Sequence, residues 1–183
     1  MRGWIVPFFA ASLTAGGASL APATQTAGLA GAAVLAIGAV SHPVAGLLSD
    51  RWGRTPLISA IMLVSGACSL TLGWALGWPF GALVTLALFY GVMVTAESAI
   101  LSTSIAESAE PAYLGRTMAL QSTVGFSSGA LAPAVFGAVL DLAAKLGRPA
   151  AETWGWAFTL LAAGVLVGPL VVGFKERGSV IHR

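Results

Sequence analysis

Charge is what this sequence has least of. Its 183 residues carry nine Lys and Arg and seven Asp and Glu, together 9%, where soluble globular chains carry about 25%. Hydrophobic residues make up 57% and the mean hydropathy is +0.87. A fold this poor in charge cannot cover its own surface in water, so a soluble globular domain is excluded. Nine dispersed cations are too few for a nucleic-acid footprint, which needs clustered basic residues. A single cysteine, Cys68, cannot form an intramolecular disulfide and is silent about redox compartment. The sequence has no P-loop, no paired metal ligands and no haem motif, and no cofactor is expected.

What is present is a series of apolar stretches of the length that crosses a bilayer, about 20 residues each. Charges and turn residues cut the chain into six: 3–21, 27–49, 56–76, 79–105, 117–140 and 154–174. The expected connections are short: Pro22-Ala-Thr-Gln25, then Gly77-Trp78, and at most the polar stretch Asp141–Thr153. With 23 glycines and abundant alanine, the composition suits closely packed membrane helices. The expected fold is therefore all-α, one domain over residues 1–183, with the lipid bilayer as its surroundings.

Six spans put both termini on one side, with Arg2, Arg51, Arg54, Arg116, Lys175, Arg177 and Arg183. Only Lys145 and Arg148 fall on the other. The positive-inside rule then places both termini in the cytoplasm of a cytoplasmic (inner) or plasma membrane. Trp4, Trp52, Trp74, Trp78, Trp154 and Trp156 all fall near expected span ends, as interfacial aromatic belts require. The first segment also fits a secretory signal, with Arg2 ahead of an apolar run and small residues at 18–23. Cleavage would leave five spans and break the agreement with the charge bias, so the segment is read as a span.

The most specific feature lies between the second and third spans: Gly46-Leu-Leu-Ser-Asp50-Arg51-Trp-Gly53-Arg54-Thr-Pro-Leu57. Gly46 lets a neighbouring helix approach, and Gly53 permits a tight turn. Asp50 can face a helix N-terminus, whose partial positive charge favours an anion. Arg51 and Arg54 can pair with carboxylates or lipid phosphates, and Pro56 suits a first helical turn. The alternative is an ordinary charged turn obeying the positive-inside rule.

The pattern resembles the signature loop of the major facilitator superfamily: Gly, three residues, Asp-Arg, one residue, Gly-Arg, then a further basic residue. Gly46, Asp50, Arg51, Gly53 and Arg54 match, while Thr55 departs from the last basic position. The resemblance implies that Asp50 is a latch residue between two six-helix halves, with Arg51 and Arg54 as its charge partners. It also implies one six-helix half bundle, built as a 3+3 inverted repeat. The stretch Gly115-Arg116-Thr-Met-Ala and the run from Gly125 to Asp141 are more similar to the C-terminal half. The chain begins almost at its first span, which suits a split or truncated gene at least as well as a complete protein. The implied function is secondary active transport of a small solute by alternating access, with a second half supplied by another copy or a separate chain.

Glu97 is the only charge well inside an expected span. A carboxylate at the bilayer centre costs about 2.5 kcal/mol or more, so it should face protein or a water-filled cavity. Tyr90, Glu97 and Ser104 recur every seven residues on one helix face, and Thr95, Ser98 and Ser102 form a second polar stripe beside it. In the resembled family the first and fourth helices of each half line the substrate path, which implies that Glu97 reaches the cavity. Three roles are open to it: carrying a coupling proton, clamping the bundle by hydrogen bonds, or binding solute without titrating. His42, before Pro43, is either a second titrating group or a hydrogen-bonded packing residue. No basic residue lies inside a span, which disfavours a multiply anionic solute.

Gly125, Gly129, Pro133 and Gly137 recur every four residues, a smooth ridge for helix contact. The ridge loosely resembles the Gly/Pro-rich motif of drug antiporters in this superfamily, though its core is not intact. Gln121 and Ser128 can line a path beside it. Gly125-Phe-Ser127-Ser-Gly129 matches the hydrolase elbow G-x-S-x-G, but that elbow needs a strand-to-helix turn. An intramembrane serine hydrolase, using Ser127 and His42, would leave the Asp50 loop unexplained, and an enzyme is not expected. A remnant or scaffold that does not transport is the other alternative, because half a cavity has only one wall.

Overall fold

The computed structural model describes residues 3–179, with side chains described for residues 3–165. Arg2, His182 and Arg183 lie outside the described residues, as do the side chains of Lys175 and Arg177 used above for orientation. The chain folds into α1 (Ile5–Ala15), α2 (Leu20–Trp52), α3 (Arg54–Trp74), α4 (Phe80–Ser108), α5 (Leu114–Lys145) and α6 (Ala150–Ser179), with one 3-10 turn at Pro111–Tyr113. No strand occurs among the described residues.

The helices respect the expected order but not all the expected breaks. Pro22 does not mark a loop. It is the third residue of α2, where a missing backbone N–H costs no intrahelical bond. The break falls earlier, where α1 ends in a Schellman motif. Gly17 adopts φ +92°, its N–H donates to the Thr14 carbonyl, and the Ala18 N–H donates to that of Leu13. The first helix therefore has 11 residues, about 16 Å at 1.5 Å per residue, roughly half of a hydrocarbon core.

The polar stretch Asp141–Thr153 is also mostly helical rather than a loop. α5 runs through Asp141 to Lys145 and ends in a second Schellman motif. Gly147 has φ +68°, its N–H donates to the Ala144 carbonyl, and the Arg148 N–H donates to that of Ala143. α6 begins three residues on. Polar residues at a membrane surface do not interrupt a helix; the Cβ-free turn at glycine does.

By length and apolar composition, α2, α3, α4 and the segment Pro111–Lys145 can each cross a membrane. The observation supports an integral membrane protein with four candidate spans among the described residues. α1 alone is too short, and most of the α6 side chains in its C-terminal half are not described.

α3 lies along α6, α2 along α4, and α4 touches α1, α2, α3 and α5. Small residues set the α2–α4 spacing. Ala23, Ala27, Gly31, Val34, Gly38, Ser41, Ala45 and Ser49 form the buried edge of α2. A methyl group on Gly91 would sit 2.8 Å from Val34 Cγ1 and 3.0 Å from its carbonyl oxygen. The main core joins α1, α3, α4 and α6 around Phe8, Phe9, Leu72, Leu83 and Phe158, with Phe136 of α5 reaching in. Phe8 and Phe136 both stand edge-on to Phe158, with ring centroids 5.3 and 5.2 Å away. A smaller core of Ala45, Leu57, Ile58, Ile61, Ala96 and Ile100 joins α2, α3 and α4 at the opposite end.

Candidate functional site

Gly53 separates α2 from α3 with φ +82° and ψ 147°, a conformation side-chain-bearing residues rarely adopt. The chain reverses in that one residue, so the last turn of α2 and the first turn of α3 share a corner. Asp50 and Arg54 face each other across it, Arg54 Nη2 lying 3.6 Å from Asp50 Oδ1. Arg54 also forms an ion pair with Glu107 in the last turns of α4. Its side chain is 22% exposed, against 67% for Asp50 and 59% for Glu107. Arg54 is thus the sheltered hub, with one carboxylate from its own corner and one from α4.

Sequence reasoning identified Asp50 and Arg54 but missed Glu107. The available signal was its position at the end of the fourth span, on the same side as the loop. Arg51 is exposed and makes no ion pair among the described residues. Gly46 is exposed, with nothing within 4 Å of where a Cβ would stand. No helix among the described residues uses the approach it allows.

Further along α4, Tyr90 is buried against α3, facing Ser65 and Ser69. Glu97 and Ser104 are half-buried on the same face. Thr95 is buried and donates to the Gly91 carbonyl at 2.8 Å, and Ser98 is exposed. Gln121 of α5 comes across to this helix, its Nε2 donating to Ser102 Oγ at 2.9 Å. Gln121 Oε1 is buried and accepts no hydrogen bond from a described residue. A buried acceptor left unmade costs about 1–3 kcal/mol. His42 is not part of this group: it is exposed on α2, and its Nδ1 lies 3.2 Å from the Ala39 carbonyl.

The glycine ridge of α5 divides in two. Pro133 and Gly137 pack on Trp4, whose Nε1 donates to the Pro133 carbonyl at 3.1 Å and whose ring lies 3.2 Å from a methyl placed on Gly137. Gly125 and Gly129 have nothing within 4 Å of where a Cβ would stand, and Gly129 lines a cavity with Trp4, Val94 and Leu161. Ser127 and Ser128 are exposed beside them, inside a continuous helix rather than at a strand-to-helix turn.

The consequence is an uncovered face. Only 6% of the most apolar window of α5 is buried within the chain, against 50% for α3. Leu120, Val124, Phe126 and Leu131 project from α5, and Leu29, Leu35, Val40 and Leu47 from α2. The Ser102–Gln121 pair lies between α4 and the bare α5, while Glu97 lies on the α4 face that carries Tyr90.

A family model described as Major Facilitator Superfamily matches residues 2–180. No curated protein and no solved structure matches the chain.

Proposed function

Since the chain belongs to the Major Facilitator Superfamily, whose members move solutes across membranes, we propose that it is one half of a secondary active transporter. Its six helices make one half bundle, a 3+3 inverted repeat resembling the C-terminal half, with both termini cytoplasmic in an inner or plasma membrane. Alternating access comes from rocking against a second six-helix half, either another copy of this chain or a separate polypeptide. The observation that carries this reading is the bare face of α5. Gly125 leaves room for a close helix neighbour, and no described residue of this chain fills it.

The Asp50–Arg54–Glu107 cluster is the latch on one face of the membrane. It ties the α2–α3 corner to the end of α4, so α2, α3 and α4 move as a unit at that end. Gly46, open on α2, and the exposed Arg51 meet the second half or the lipid headgroups.

The solute path runs along α4 and α5. Glu97 carries the coupling proton, and Gln121 Oε1 accepts from a solute N–H or O–H. Tyr90 and Ser104 bound the path on the same α4 face. A donor-bearing small solute without several negative charges fits these groups, since residues 79–105 and 117–140 contain no Arg or Lys.

The test is proton-coupled solute flux in vesicles holding the chain with its second half. Glu97→Gln should abolish coupling to a pH gradient while leaving solute exchange. Intact proton-driven flux in Glu97→Gln would remove the coupling role.

A further inference from the structure

We propose that the groove between α5 and α6, at the end of the bundle opposite Arg54, seats a phospholipid, with the headgroup phosphate on Arg148. The groove has a volume of about 520 Å³, within the ~300–1,000 Å³ of sites that hold ligands of drug size. Its walls are Val139, Leu142, Leu146, Trp156, Leu160 and Ala163, with Arg148 at one end.

The chemistry is divided along the groove. Thr159, the other polar lining residue, is already committed: its hydroxyl donates to the Gly155 carbonyl at 2.8 Å and accepts from Trp74 Nε1 at 3.3 Å. Beyond Arg148 the Trp156 indole N–H is the one uncommitted side-chain donor among the lining residues, and the rest of the walls suit an acyl chain. Arg148 gives Nη1 to Glu152 at 3.2 Å, its one ion pair among the described residues, and remains 56% exposed. A guanidinium has five N–H donors, so a planar fork is left for phosphate oxygens. Lys145, exposed one turn earlier, adds a second cation within the same end of the helix.

The depth is right for a headgroup. Trp74, Trp78 and Trp156 are each half exposed at this end of the bundle, and Trp156 stands edge-on to Trp74 at 5.9 Å. Half-exposed tryptophans mark the membrane–water boundary, and Trp156 is itself a groove wall. An apolar slot that opens at headgroup level beside a cation complements a lipid at both ends. A second protein chain seated there would have to cover Arg148.

The test is native mass spectrometry of the chain released from nanodiscs of phosphatidylglycerol and phosphatidylethanolamine, doped with diacylglycerol. The wild-type chain should retain one phospholipid and discriminate against diacylglycerol, which lacks the phosphate. Arg148→Gln should lower retention about tenfold, the order of one charge-assisted hydrogen-bond set. Arg116→Gln, a cation at the other end of α5, should leave retention unchanged. Ala163→Trp, which fills the slot, should remove the lipid whatever its headgroup; helix content by circular dichroism confirms that this variant folds. Equal retention by wild type and Arg148→Gln would overturn the proposal, as would equal retention of diacylglycerol. A lipid-free dimer that Ala163→Trp dissociates would overturn it in favour of a second copy.

Discussion

Arg54 and Glu107 are 53 residues apart in sequence and paired in space. The pair fastens the α2–α3 corner to the end of α4, beside the smaller of the two cores. Its partners are partly solvated, and exposed ion pairs contribute little to stability, about 0–1 kcal/mol. The structural cost of removing it should therefore be small and its conformational effect larger. A double-mutant cycle with Arg54→Gln and Glu107→Gln, read by unfolding in detergent, should give a coupling energy of about 0.2–1 kcal/mol. Solute flux should fall in each single variant by more than the stability change explains, and the charge-swapped pair Arg54→Glu with Glu107→Arg should recover part of it. Full flux in both single variants would deny the pair a latch role.

The two kinds of glycine in this bundle should respond differently to the same change. At Gly91 a side chain meets Val34, including its backbone oxygen, and overpacking of this kind costs about 1–3 kcal/mol. At Gly125 there is open space, so Gly125→Leu should change the stability of the isolated chain by no more than about 0.5 kcal/mol. Its effect should instead appear as lost association with the second half. Thermal unfolding of both variants in one detergent, beside a pull-down of the paired complex, separates the two outcomes.

Trp4 holds α1 against α5 by a stacked contact with Phe136, ring centroids 5.1 Å apart, and by its bond to the Pro133 carbonyl. Trp4→Phe keeps most of the packing and loses the donor, which should cost about 1 kcal/mol. Trp4→Ala should cost about 3–5 kcal/mol. Equal losses in the two variants would mean that the hydrogen bond, and not the ring, anchors α1.

Gln121 carries a buried acceptor that no described residue uses. Replacing it with Leu removes a buried acceptor that no described group satisfies, together with one bond to Ser102. The two effects oppose, so stability should change by less than about 1 kcal/mol while solute flux falls at least tenfold. Unchanged flux in Gln121→Leu would take α5 out of the solute path.

Much of this was legible in the sequence. Apolar stretches separated by charge identified the helices, and the spacing of Gly46, Asp50, Gly53 and Arg54 identified the corner. Two breaks were misplaced for one reason. The eye follows proline and polarity, whereas Pro22 sits harmlessly in a first turn and Asp141 and Lys145 continue a helix at the membrane surface. The true breaks, Gly17 and Gly147, depend on a positive φ that composition does not announce. Glu107 was missed because its partner lies across the bundle, and a pairing between distant segments leaves no local pattern. The every-fourth-residue ridge of α5 was legible as spacing, but not its division into a half that packs on Trp4 and a half left bare. That division depends on where α1 ends up.

Contact of the bare face of α5 with a second half is tested by placing a photo-crosslinking residue at Phe126, which is 80% exposed, and irradiating native membranes. The same probe at Leu63, exposed on α3, is the comparison. Position 126 should yield a discrete protein adduct, of twice the chain mass or of the chain plus one other membrane protein. Position 63 should yield lipid adducts alone. Lipid adducts alone at both positions would contradict that contact.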